Sequence, residues 1–220
     1  MSKNNKIYES IKEKLKMKII SNEEEINELK NKGVPDSCIA YKILVIGADM
    51  AGKTSFCNRI SRNQFDLEIK SSVETTCFVK TIILFDVKAN SMDEDEENEL
   101  YKDINGIIAI YDITQYDSLE KTEKILNSVK KKCKVDKNIP IYILGNKNDL
   151  KFLRAINFAD SNDKANIKGY EIKEINCIKN DNIVHNIIKN LVAKIYFNNL
   201  SKEEKEKIRN EAKNFENDKK

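Results

Sequence analysis

The chain has 220 residues, 34% of them charged, yet its formal net charge is only +3. That length allows one domain with a sizeable core plus extensions, and the near balance of charge gives no argument for a nucleic-acid partner. Five cysteines stand without a C-x-x-C pair beside a single histidine, a pattern of reduced thiols in an intracellular protein that argues against histidine catalysis and a histidine zinc site.

Residues 1–37 read as a helical extension. Ile7, Ile11, Leu15 and Ile19 recur at helical spacing among Lys3, Lys6, Lys12, Lys14, Lys16 and Lys18. Ser21-x-x-Glu24 then reads as the capping box of a second short helix ending near Gly33 and Pro35. The first helix, over residues 3–20, either packs on the domain or makes transient, salt-sensitive contact with an anionic membrane. No apolar run approaches the ~18 residues of a membrane span. No signal peptide is expected, Ser2 rules against N-myristoylation, and the closing Asn-Asp-Lys-Lys offers no cysteine to prenylate. The expected location is cytoplasmic, with at most a peripheral place at an endomembrane.

A domain is expected over residues 38–200. Lys42–Ile46 is an apolar, β-branched run predicted as a buried strand, and Thr54–Arg62 is predicted as a helix. Between them, Gly47-Ala48-Asp49-Met50-Ala51-Gly52-Lys53-Thr54 fits G-x-x-x-x-G-K-[ST] and takes two of the chain's six glycines. Such a loop turns backbone N–H groups inward as an anion cradle, and the following helix adds its unpaired N–H groups and dipole. Lys53 would reach the β- and γ-phosphates and the Thr54 hydroxyl would ligate Mg²⁺. Asp49, Met50, Ala51 and Ser55 complete the candidate set. Glycine is expected because Cβ atoms would crowd the phosphates and some positions need positive φ.

Further along, Thr76–Phe85, Gly106–Tyr111, Ile139–Leu144 and Tyr170–Asn176 read as strands. Ser91–Asn98 reads as an acidic loop, and Leu119–Cys133 and Ile183–Phe197 as helices. This alternation predicts an α/β fold of the P-loop NTPase kind, a mostly parallel sheet with helices on both faces. Residues 201–220 open on the capping box Ser201-x-x-Glu204 and form a charged C-terminal helix or tail.

The strand ending at Leu144 runs into Gly145-Asn146-Lys147-Asn148-Asp149. With the phosphate loop upstream, this complete N-K-x-D element resembles a small GTPase of the Ras superfamily, over about Tyr41–Phe197. The resemblance implies GTP and GDP as ligands, Mg²⁺ as cofactor, and protein regulators or effectors. The Asp149 carboxylate would accept from guanine N1–H and the 2-amino group, a donor pair adenine lacks. Lys147 would pack its stem over the base, and Asn146 would tie this loop to the phosphate loop. The segment after the last strand would meet the guanine oxygen, as Asn176-Cys177-Ile178 or shifted by one to Cys177-Ile178-Lys179. Gly106–Thr114 resembles Rab proteins, whereas the phosphate loop and Phe85–Asn90 resemble the Arf branch.

The family's D-x-x-G-Q element departs here. Asp86 can serve the metal through water, but Ala89 stands at the glycine position and Asn90 at the water-positioning glutamine. Ser72 falls at the position of the Mg²⁺-binding threonine, with Thr75 and Thr76 as alternatives. The short stretch from Ser72 to Asp86 leaves little room for two strands and a turn, so a shortened or missing second strand is expected. Two functions follow: a slow GTP-hydrolysing switch, or a nucleotide-stabilised adaptor with degenerate switches. An ATP-dependent P-loop kinase is a third class, against which Asp149 argues.

Overall fold

The sheet is built around a strand that buries both faces. In the computed structural model, which describes residues 16–20, 40–62, 79–86, 104–132, 139–178 and 182–217, β1 (Lys16–Ile20) precedes this central strand, β2 (Ala40–Gly47). Tyr41, Ile43 and Val45 point to one side of it and Leu44 and Ile46 to the other, all fully buried. A strand covered on both faces has no polar alternation, which is why Lys42–Ile46 reads as a continuous apolar run.

Around it stand β3 (Val79–Asp86), β4 (Gly106–Asp112), β5 (Ile141–Asn146) and β6 (Glu171–Glu174). The order is β1-β3-β2-β4-β5-β6, and every pairing is parallel. Parallel neighbours need crossovers, and the helices supply them. Phe56 and Ile60 of α1 (Lys53–Arg62) join Val184, Ile188 and Leu191 of α4 (Ile183–Asn199) on the Ile43 face. Leu126 and Val129 of α2 (Ser118–Lys132) and Ala165 of α3 (Phe158–Ile167) cover the Leu44 face. The expected α/β architecture with helices on both faces is the one observed.

One difference stands out. Lys16–Ile20, expected to be the end of an amphipathic helix, is instead a strand, with Lys16 in register with Val79 and Ile20 with Ile83. Helical spacing is a local signal, and pairing with a distant strand edge overrides it. Over Thr81–Ile83, β3 therefore has β1 on one side and β2 on the other. β1 thus takes the side of β3 away from β2; residues 63–78, where the shortened or missing second strand was expected, lie outside the described residues. The rest of the expected N-terminal helices, with the Ser21–Glu24 box, lies outside the described residues.

α3 and a 3₁₀ segment, Asn148–Leu153, were not legible from periodicity. α3 is only weakly amphipathic, but its start is marked chemically: the Asn157 side chain accepts from Ala159 N at 3.0 Å. At the C-terminal end, α5 (Lys202–Asn217) begins with both bonds of a capping box. Ser201 N donates to Glu204 Oε2 at 2.9 Å, and Glu204 N donates to Ser201 Oγ at 3.2 Å. Lys205 and Arg209 lie over the Phe197 ring at 6.0 and 5.7 Å, and Ile208 packs on the core, which seats α5 against α4. Among the described residues no helix is long and apolar enough to cross a membrane.

Candidate functional site

Gly47 to Thr54 leaves the carboxyl end of β2 and enters α1. Its two glycines answer to the protein itself. A Cβ on Gly47 (φ 152°) would lie 2.0 Å from the Ile110 carbonyl oxygen, and one on Gly52 (φ 97°) would lie 2.2 Å from Asn146 Nδ2. The crowding expected from phosphates comes first from β4 and from the Asn146 side chain. Met50 takes the left-handed conformation at φ 58° with its side chain in solvent. The buried Lys53 ammonium donates to Gly47 O at 3.1 Å and Ala48 O at 2.9 Å. An ammonium has three donors, so one remains to meet an anion. Thr54 and Ser55 are exposed at the start of α1.

The second loop follows β5. Asn146 Nδ2 donates to Ala51 O at 2.9 Å, joining this loop to the first across the sheet. Lys147 is left-handed (φ 69°) and its ammonium pairs with Asp112 Oδ2 at 2.6 Å. Burial works to raise the Asp112 carboxyl. Hydrogen bonds from Lys147 and from Thr114 N and Oγ1, the latter two at 2.9 and 2.7 Å, outweigh it and hold the carboxyl below its ordinary value. Asp149 Oδ1 is buried with no hydrogen-bond partner. A buried carboxylate oxygen is costly to leave unmatched.

These loops converge with a third, Asn176–Ile178, on one cleft of about 400 Å³ at the carboxyl ends of the strands. Met50, Gly52, Lys53, Thr54 and Ser55 line one end; Asn146, Lys147, Asp149, Leu150, Asn176, Cys177 and Ile178 line the rest. Gly47, Asp49 and Ala51 belong to the phosphate loop without lining the cleft. Asp86 ends β3 in register with Val45, two residues before Gly47. Ser72, Thr75, Thr76, Ala89, Asn90 and Lys179 lie outside the described residues.

Sequence reasoning missed the residues that hold the loops. Thr122 of α2, fully buried, accepts from Ala48 N at 3.0 Å and donates to Ile110 O at 3.1 Å, pinning the phosphate loop to β4. Arg154 forks onto Glu174 at 2.5 and 2.9 Å and also reaches Asn148 Oδ1 at 3.4 Å. It joins the second loop to β6. The Glu174 hydrogen bond holds the Arg154 guanidinium above its ordinary value. Arg59 of α1 donates to the carbonyls of Cys177 and Ile178. These pairs are far apart in the chain, and no local motif marks them.

Residues 42–197 match the family model described as the Ras family. Curated relatives include the Ras-related protein Rab11B of Nicotiana tabacum, 30% identical over 165 residues (71% of this chain, 75% of that protein). Ras-related protein RABA1f of Arabidopsis thaliana is 28% identical over the same shares. Ras-related protein rab-11.1 of Caenorhabditis elegans is 30% identical over 125 residues, 53% of this chain and 58% of that protein. A chain whose residues 42–197, most of its length, match that model belongs to the Ras family of small GTP-binding proteins.

Proposed function

We propose that the cleft binds GTP and GDP with Mg²⁺, and that the protein acts as a slow molecular switch in membrane trafficking, read by protein effectors. The observation that carries this reading is the unpartnered, buried Asp149 Oδ1, set in the same cleft as Lys53. An orphaned acceptor suits a ligand with donors at one end, and an ammonium at a helix N-terminus suits phosphate at the other. Lys53 would bind the phosphates, Asn146 would keep the two loops in register, and Asp149 would select guanine. The donor set fits Mg²⁺. Among the described residues no group of three acidic, histidine or cysteine side chains could cage a metal. One Thr54 hydroxyl, with Asp86 and Ser72 as further candidates, suits an ion that keeps water and phosphate oxygens as its main ligands. When bound, Mg²⁺ would offset phosphate charge.

Calorimetry with GDP, ATP and xanthosine diphosphate tests the reading. Wild type should prefer GDP, and Asp149→Asn should shift preference toward the xanthine nucleotide. Equal affinity of the wild type for ATP and GDP would overturn it.

The likeness to Rab proteins supports a place in trafficking, with a cytoplasmic pool and peripheral membrane contact. The sheet pairing of residues 16–20 removes the last turn from the proposed membrane helix. A second reading, a nucleotide-stabilised adaptor, draws on Ala89 and Asn90 at the glycine and glutamine positions. Single-turnover phosphate release separates the two. A switch should turn over at about 10⁻⁴ s⁻¹ without a partner, Asn90→Gln should raise that rate, and no release at all favours the adaptor.

A further inference from the structure

Arg59 lies on α1, the helix whose first residue is Lys53, yet its side chain reaches across to the loop after β6. Arg59 Nε donates to Cys177 O at 2.9 Å, and Nη2 donates to the next carbonyl, that of Ile178. A guanidinium is a rigid planar fork, so two donors on consecutive carbonyls fix the orientation of both peptide planes. The Cys177–Ile178 peptide is held from its other end too. A trans peptide sends its C=O and N–H in opposite directions, and here the Ile178 N–H donates to Asn176 Oδ1 at 2.8 Å. Upstream, Ile175 N donates to Gly145 O at 2.8 Å, and Asn148 N donates to Ile175 O at 3.2 Å. The loop is thus tied to the Asn146–Asp149 segment at its start and to α1 at its end.

We infer that Arg59 is a positioning residue which sets the Asn176–Ile178 backbone against the base and couples that end of the cleft to the helix that holds the phosphates. The inference rests on the guanine-nucleotide reading above. Without the fork, Cys177 and Ile178 lose a charged hydrogen-bond partner, and the loop's end is released from α1. The phosphate loop keeps its own anchors, Thr122 and Asn146. The loss should therefore fall on the base and spare the phosphates. It follows that any contact that bends α1 or the Arg59 side chain would loosen the base end at a distance from it.

The test uses the full chain as wild type, Arg59→Met and Arg59→Lys. Methionine keeps a long apolar stem and removes the fork; lysine restores charge with one donor group. Two quantities are measured with Mg²⁺ present: the GDP dissociation rate and the affinity for inorganic tripolyphosphate, which has no base. Arg59→Met should release GDP about tenfold faster, the effect of one charge-assisted hydrogen bond, with tripolyphosphate affinity within about twofold of wild type. Arg59→Lys should fall between. Equal losses for GDP and tripolyphosphate would mean that Arg59 merely supports the fold, and unchanged GDP release would mean that the fork positions nothing. Either overturns the inference while a wild-type preference for GDP over ATP stands. A wild type without that preference sinks the guanine reading and this inference together.

Discussion

Asp112 and Lys147 show how a single ion pair shapes one side of the cleft. Lys147 lines it with its ammonium drawn to a carboxylate that is itself almost fully buried. Asp112 is held in turn by the two Thr114 donors, and its own N–H donates to Ser118 Oγ at 2.8 Å. Because the folded state lowers the Asp112 pKa, its contribution is fully present above the unfolded carboxyl value of about 3.9 and is lost as pH falls through the folded value. Asp112→Asn should cost about 2 kcal/mol at pH 7, and the gap to wild type should begin to narrow below about pH 4 and close as pH falls through the lowered folded value. Urea denaturation at a series of pH values from 7 downward checks this; a gap that does not narrow as pH falls below about 4 would assign the cost to packing. The residues of the cleft were legible where they are contiguous. Gly47–Thr54 and Asn146–Asp149 are runs whose chemistry depends on adjacent backbone groups. Asp112, Thr122, Arg154 and Arg59 act through partners on other elements, and a side chain's reach across a fold leaves no local spacing to read. The glycines were correctly singled out, but for an incomplete reason: at Gly52 the nearest obstacle is Asn146.

At the scale of elements, strands with both faces buried were the easiest to read, since Ile43–Ile46 of β2 and Ile107–Tyr111 of β4 are apolar runs. β6 was read too long, because its alternating half-exposed pattern ends where Ile175 to Cys177 turn inward as loop. β1 was missed outright. Its apolar residues satisfy a helical template, and what decides the outcome is the edge of β3, far along the chain. If β1 is a working part of the sheet, a chain beginning at residue 21 should lose about 2–4 kcal/mol, the scale of a few backbone hydrogen bonds. Amide exchange at Val79–Ile83 should rise in the same protein. Urea titration and exchange mass spectrometry measure the two effects. Unaltered protection of Val79–Ile83 would show that the pairing contributes nothing to the fold.

The cleft of the whole molecule lies at the carboxyl ends of the strands, where open parallel sheets bind ligands. β2, β5 and β6 each deliver one loop to that edge, and alternation of strand and helix was enough to predict it. Which elements stand beside one another was less legible, since order in a sheet depends on long-range pairing. The N-terminal strand carries a consequence for how the protein is made. Lys16–Ile20 leaves the ribosome before its partner Val79–Ile83, which is synthesised roughly sixty residues later. At about 5–20 residues per second, the segment waits several seconds before its neighbour exists. During that interval β2 has no β3 either, and the Met17, Ile19 and Ile20 stretch has no sheet to join. The β1 edge is therefore completed by a segment older than the strand it pairs with, and a bulky fusion ahead of residue 16 would burden that docking step more than the assembly of the loops that line the cleft.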